Sequence, residues 1–493
     1  MREARAKISR RRALQLLAGG LGAGAAGLVA PRRGSAAGRA TRRFLIVITG
    51  TGGASILDSV LARRSDELAD NTLNSFPEQQ LWRAPGSPLS AVDLDLPTLG
   101  PIPFSVRGRQ QEFVSRYREQ IVAFPYTGTS VNHLIAGKRA LTGNDAWGGR
   151  TIQEAVAAHH GQPLLLPNVN MGIGGYGEDG HDGTLPAEAR GVLIGDPLLW
   201  PFGLHGHAGI SGAGRPTPAL IDRMRSVRDG SLTEASRFSE RYRESAQLRR
   251  WRQLRDEVQP ELEAQRLISE LNFIPDSPSL PLDDFGIGSS ADSALLRETF
   301  PNFLSDPFEA QACLAYLLLT RDVSASVTIG PRNSPGVTED GGLTGPPIAF
   351  DFSHTDHRAT QAFMWSRLFS VADRLIRLLS AVEFHEGESY WDRSLVYCAT
   401  EFGRTRQRPA GSDAFGSGHH LNNGALLISP LLQGDQVLGG VDEQGMCYGA
   451  DPSSGRPEPG REFDERDLFG ALTQVMGVDT AGAGLPTFDT LLR

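Results

Sequence analysis

Six short apolar runs, each closed by a turn, constrain this chain more than any other feature. They are RFLIVITG (43–50), EQIVAFPY (119–126), PLLLPNV (163–169), ASVTIG (325–330), SLVYCAT (394–400) and GALLISP (424–430). They are apolar at nearly every position rather than at every second one. That pattern describes strands covered on both faces, and so a mainly parallel sheet. Helical patterns alternate with them. Over 360–382, Met364, Leu368, Val371, Leu375, Leu379 and Val382 form one stripe, with Arg367, Asp373, Arg374 and Arg377 off it. A last helix is predicted over 465–476, capped by Asp464 and stopped by Gly477. The fold class is therefore α/β, a mainly parallel sheet sandwiched by helices. A highly charged stretch over 238–272 alternates in sign, which suits a solvated face, and marks a helical insertion at about 215–300.

The first 37 residues do not fit this pattern. Ser9-Arg10-Arg11-Arg12 precedes a Gly/Ala/Leu stretch and then the small residues Ser35, Ala36 and Ala37. This is the form of a twin-arginine export signal, which leaves 38–493 as the folded domain and the export machinery as a partner. The expected location is the periplasm or the medium. Residues 1–37 carry eight basic and one acidic residue, so without them the formal charge of −8 becomes −15. An acidic chain with no basic, aromatic-rich tract is a poor match for nucleic acid. No internal run is long and apolar enough for a stable membrane span. The cysteines are Cys313, Cys398 and Cys447. Cys398 reads as a strand-buried thiol, and a Cys313–Cys447 bridge stays open.

In a parallel sheet, sites gather beyond the carboxyl ends of the strands. Polar residues follow the runs there. Thr51, Ser55 and Asp58 follow the first; Thr127, Thr129, Ser130 and His133 follow the second. Asp351, His354, Asp356 and His357 follow Ala349, Glu401 and Arg404 follow the fifth run, and His419 and His420 come next. Five of the eleven histidines fall in such places. Asp351, His354, His357, Glu401, His419 and His420 together could form a nitrogen–oxygen site for a divalent metal such as zinc, manganese or iron. The EDGHD loop (178–182) reads chiefly as a turn, with cation binding as the alternative. His159, His160 and His385 read as ordinary histidines.

The segment SLVYCATEFGRT, a Gly-rich gap, a histidine and then LLISPLLQGDQVLGG resembles an exported, twin-arginine-signal family, domain of unknown function 1501. That family is related to the alkaline phosphatase and sulfatase superfamily. The resemblance is best from Ile348 to the C-terminus, where DLFGALTQVMGVD also fits. It implies an alkaline-phosphatase-like fold and a periplasmic metal-dependent hydrolase of phosphate or sulfate esters, acting on an anionic small molecule or ester. In the superfamily a Ser or Thr attacks phosphorus or sulfur beside metals held by strand-end Asp and His. Carried over by position, Asp351 with His354 or His357, Glu401, and His419-His420 supply ligands. Thr51, Thr127, Thr129 and Ser130 are the candidate hydroxyls, and Arg404 would hold an anionic oxygen or pair with a carboxylate.

The chain departs from the pattern at three places: Thr51 stands where an Asp is usual, Pro125 where a serine is expected, and His419-His420 where relatives have Asp-His. These departures imply either a metal held by fewer carboxylates, with water as nucleophile, or a non-catalytic envelope protein that binds an anionic ligand or a protein partner.

Overall fold

The computed structural model describes residues 40–96, 106–203, 217–228, 236–253, 267–282, 287–331, 349–409 and 414–493, with positions 230, 284 and 412. The proposed export signal, 1–37, lies outside the described residues.

Eight strands form the central sheet. Numbering the strands of this sheet alone, they are β1 (Phe44–Gly50), β2 (Ile121–Thr127), β3 (Asn168–Asn170), β4 (Val192–Leu193), β5 (Ser326–Ile329), β6 (Ser394–Thr400), β7 (Asn422–Ile428) and β8 (Gln436–Val437). Their order is β8-β2-β7-β6-β1-β5-β3-β4. Every pairing is parallel except the two made by β7. All six apolar runs contribute strands. In the third run, though, only the end is extended, because the ladder starts at Asn168.

Alternation within each strand divides the core into two layers. Phe44, Ile46 and Ile48 of β1 face one side with Val396 and Cys398 of β6; Leu45 and Val47 face the other with Leu395 and Tyr397. Successive side chains point to opposite faces, so a strand covered on both must be apolar throughout. The helices that bear on the site are α1 (His133–Thr142), α2 (Ile152–His160), α3 (Pro307–Thr320), α4 (His357–Ser380) and α5 (Glu465–Val475). Helices α3 and α4 cover the first face, with Leu314, Leu318, Leu368 and Leu375 buried there. The opposite face is covered by α1, α2 and α5 through Leu141, Val156, Leu468 and Leu472. Helix α4 begins three residues before the predicted 360, because the Asp356 carboxylate accepts from the Ala359 N–H at 3.2 Å and caps it.

Within 215–300 the described pieces include Pro218–Val227, Arg237–Arg241, Ala246–Gln253, Leu267–Leu271 and Ser293–Thr299, all helical. Leu267, Leu271, Leu296 and Phe300 sit in the main core, so the last of these segments belong to the domain body. The EDGHD loop is held by internal pairs. Asp182 takes Arg150 Nε at 2.8 Å, and the Gly180 N–H donates to Glu154 at 3.2 Å. The three cysteines are free and buried. Burial pushes the Cys398 thiol up to about 12, which leaves it un-ionised and inert. Among the described residues, no helix is long and apolar enough to cross a membrane.

Candidate functional site

Beyond the carboxyl edge of the sheet, five segments meet: the turn after β1, the loop from β2 into α1, the 349–357 loop, the turn after β6, and the strand residues preceding β7. The turn after β1 runs through Gly52 and Gly53, both left-handed at φ +93° and +85°. A Cβ on Gly52 would lie 2.2 Å from the Asp351 N, and one on Gly53 would lie 2.4 Å from the Phe402 ring. Only glycine lets this turn pass under the 349–357 loop.

Four side chains converge above it. His133 Nε2 lies 3.6 Å from Asp351 Oδ1, His354 Nε2 3.4 Å and His419 Nε2 3.8 Å. His354 Nε2 and His419 Nε2 are 2.9 Å apart. Ligands about 2.0–2.1 Å from a tetrahedral zinc would lie about 3.3–3.4 Å from one another, close to the separations of these nitrogens from Asp351 Oδ1. His133, Asp351 and His419 each offer a donor atom within 4.8 Å of the other two. A face of two imidazoles and one carboxylate also suits iron(II) or manganese.

The tautomers agree with this use. The Val131 carbonyl can only accept, so His419 Nδ1 donates to it at 2.9 Å and Nε2 keeps its lone pair. His133 Nδ1 meets Glu401 Oε2 at 2.7 Å, which leaves His133 Nε2 facing Asp351. Ligating histidines are commonly oriented in this way, by a carboxylate or carbonyl on the far nitrogen. Glu401 also accepts the Gly52 N–H at 3.2 Å. Burial pushes Glu401 above the usual carboxylate range despite His133, while the hydrogen bond to Glu401 raises His133. Partial burial, then Arg404 and the neighbouring imidazoles, lower His419 and keep it neutral.

Arg404 is almost wholly buried under the cluster. It donates to the carbonyls of Gly52, Gly53, Phe350 and Ser417, to Asp351 Oδ1 at 3.3 Å and to His354 Nε2 at 3.4 Å. It positions the loops rather than presenting a free fork to an anion. Its ion pair is with Asp351, not with Glu401.

His357 and His420 are turned away from the cluster. His357 is fully buried, with Nε2 3.0 Å from Asp58 Oδ2 and Nδ1 2.8 Å from Ser417 Oγ. Burial alone would raise Asp58, but the His357 charge and hydrogen bonds from His357, Ser55 and Asn74 outweigh it and hold the carboxyl low. His420 Nδ1 accepts the Asn422 N–H at 3.0 Å. His419 and His420 are consecutive residues of a short strand paired with Gly403–Arg404, so their side chains point to opposite sides.

The hydroxyl candidates are placed as follows. Thr51 is buried, 3.1 Å from the Thr49 hydroxyl. Thr129 Oγ1 donates to Glu465 at 2.8 Å. Ser130 Oγ accepts from the Asn132 N–H at 3.2 Å. Thr127 is half-buried at the end of β2. Sequence reasoning noted His133 as a strand-end residue but not as a ligand. Its place just past β2, at the first helical position after the Asn132 cap, was the available signal.

No family model matches this chain, and no curated protein matches it. Among solved structures it overlays on Ps i-CgsB, determined in complex with k-i-k-neocarrahexaose. The TM-score is 0.32 at 9% identity, covering 91% of this chain and 75% of that one. It also overlays on the phosphonate monoester hydrolase SpPMH from Silicibacter pomeroyi, at TM-score 0.30 and 8% identity, covering 90% and 75%. Overlays this loose do not define a site.

Proposed function

We propose that this chain is a metal-dependent hydrolase of phosphate or sulfate esters, of the alkaline phosphatase and sulfatase kind that its strand-end segments resemble. The observation that carries the reading is the convergence of His133, His354 and His419 Nε2 atoms on Asp351 Oδ1. A divalent zinc, manganese or iron ion held there would supply Lewis acidity, lowering the pKa of water and offsetting charge on the transferred group. The protein's part is to hold the donors. Glu401 and the Val131 carbonyl fix two imidazoles with their Nε2 atoms inward. Arg404 pins the Asp351 loop to the turn after β1. Thr51 and Thr129 have their hydroxyls engaged elsewhere, and water, rather than Thr127 or Ser130, is taken as the nucleophile.

The engagement of Arg404 and these hydroxyls favours a second reading, a non-catalytic envelope protein that binds an anionic ligand or a protein partner. Metal content of the purified protein, with rates on an aryl phosphate, a phosphodiester and an aryl sulfate, separates the two. His419→Ala should lose metal and turnover together. If metal-replete wild type is no faster than His419→Ala on all three, the binding reading replaces the hydrolase. We extend the proposal to export in the folded state by the twin-arginine machinery, on the strength of Ser9 to Arg12. Export unchanged when Arg10 and Arg11 become lysine would overturn that part.

A further inference from the structure

We propose that the apolar surface and cavity beside the His/Asp cluster form a subsite for the organic part of the ester. The ligand would be an anionic head carrying an alkyl or aryl group; this rests on the hydrolase reading above. Val131 ends the loop before α1, and Leu134 and Ile135 follow His133 in the first turn of that helix. With Leu421, which follows His420, these side chains are 39–55% exposed. Single exposed apolar residues mean little, but here four come from the two segments that hold His133 and His419. The loops lie side by side: the Gly128 N–H donates to the Leu421 carbonyl at 2.6 Å, and His419 to that of Val131.

Leu134 lies beside one wall of a cavity. A Cβ placed on Gly174 would lie 3.6 Å from Leu134 Cδ2, and Gly174 lines a cleft of about 420 Å³ beyond the ends of β3 and β4. Its side-chain walls are Met171, Ile173, Leu193 and Ile194, with glycines between them. Glu178 is its one charged lining residue, and Lys138 neutralises it at 3.3 Å. A space of this volume, apolar and reached from the cluster by way of Leu134 and Gly174, suits a small organic group whose polar end is held elsewhere. The cleft is open. A Cβ on Gly195 would meet nothing within 4 Å, and Gly195 has no left-handed backbone to strain.

Calorimetric titration of the metal-replete protein with methyl, butyl and hexyl phosphate, and with the matching sulfates, tests the proposal without requiring turnover. Burying a methylene is worth about 0.8 kcal/mol when complete, so Kd should fall about twofold to fourfold per added methylene. Gly195→Leu, which fills the cleft, should bring the hexyl ester back towards the methyl value. Leu134→Ser, a change at an exposed position, should remove part of the same gain, and an unchanged circular dichroism spectrum checks the fold of each variant. Affinity that does not rise with chain length, absence of binding included, overturns the subsite. So does a gain that survives both variants. Turnover is scored separately: a chain-length gain with no hydrolysis sinks the hydrolase reading alone, and hydrolysis without the gain sinks the subsite alone.

Discussion

Glu401→Gln isolates the part that orientation plays in the cluster. Glu401 is 5% exposed; it meets His133 Nδ1 at 2.7 Å and accepts the Gly52 N–H at 3.2 Å. The amide keeps the shape and can still accept one hydrogen bond, but it loses the charge that fixes His133 Nδ1 as a donor. Changes to carboxylates behind ligating histidines typically cost about 10–100-fold in metal affinity. A ligand at a thousand times its Kd stabilises a protein by about 4.1 kcal/mol, so the same metal concentration should stabilise the variant by about 1.4–2.7 kcal/mol less. The metal-free protein should change by only about 1 kcal/mol, since burial already disfavours the charged form of Glu401 and the amide oxygen can still accept the Gly52 N–H. Chelator competition gives the affinity, and melting with and without zinc gives the linkage. Equal Kd in wild type and variant, or an equal drop in melting temperature with and without metal, would refute the orientation argument.

His420→Ala should retain bound metal, measured by atomic emission, because its ring serves the Asn422 N–H and not the cluster. His357→Ala removes one hydrogen-bond partner from the buried Asp58, which keeps Asn74, and should cost about 1–3 kcal/mol in denaturant unfolding. Gly52→Ala sets a Cβ against the Asp351 backbone at a left-handed position. It should cost about 1–3 kcal/mol and weaken metal binding, read by the same two methods. Burial holds His160 down to about 4, below its unfolded value of about 6.5. The unfolded chain therefore takes up its proton first, and stability is lost as pH falls from about 6.5 towards 4, by about 3 kcal/mol over the window. His160→Gln should flatten that part of the pH–stability curve, and an unchanged slope would assign the loss to other groups.

The sheet was legible because burial on both faces leaves a continuous apolar run, and each of the six runs supplies a strand. The reversal of β7 was not, since GALLISP reads the same in either direction and its antiparallel place follows from the preceding loop. Strands β4 and β8, of two residues each, are too short to show a pattern. At the site, Asp351, His354 and His419 were named from sequence and lie together, whereas Glu401, expected as a ligand, sits behind His133 on its Nδ1. Adjacent histidines suggested a pair of ligands, but extended backbone sends neighbours to opposite sides. His357 lies only three residues past His354, yet it opens α4 and is directed at Asp58 instead. The role of His133 depends on Glu401, 268 residues away, and no local pattern encodes that.

The bonds that shape the cluster span most of the chain. His133 to Glu401 bridges 268 residues, His419 to Val131 bridges 288, and Arg404 to Gly52 bridges 352. Asp351, His354 and His419 lie within one stretch of the chain, but His133 joins them, and His419 gains its Val131 partner, only once β7 has closed against β2. Contacts this distant in sequence form late and slowly. The metal would then be drawn from the compartment in which folding is completed, and local supply would weigh more than the intrinsic order of affinities. If the chain crosses the membrane already folded, the ion in the exported protein is a record of the cytoplasm, carried to a place where the free metals differ.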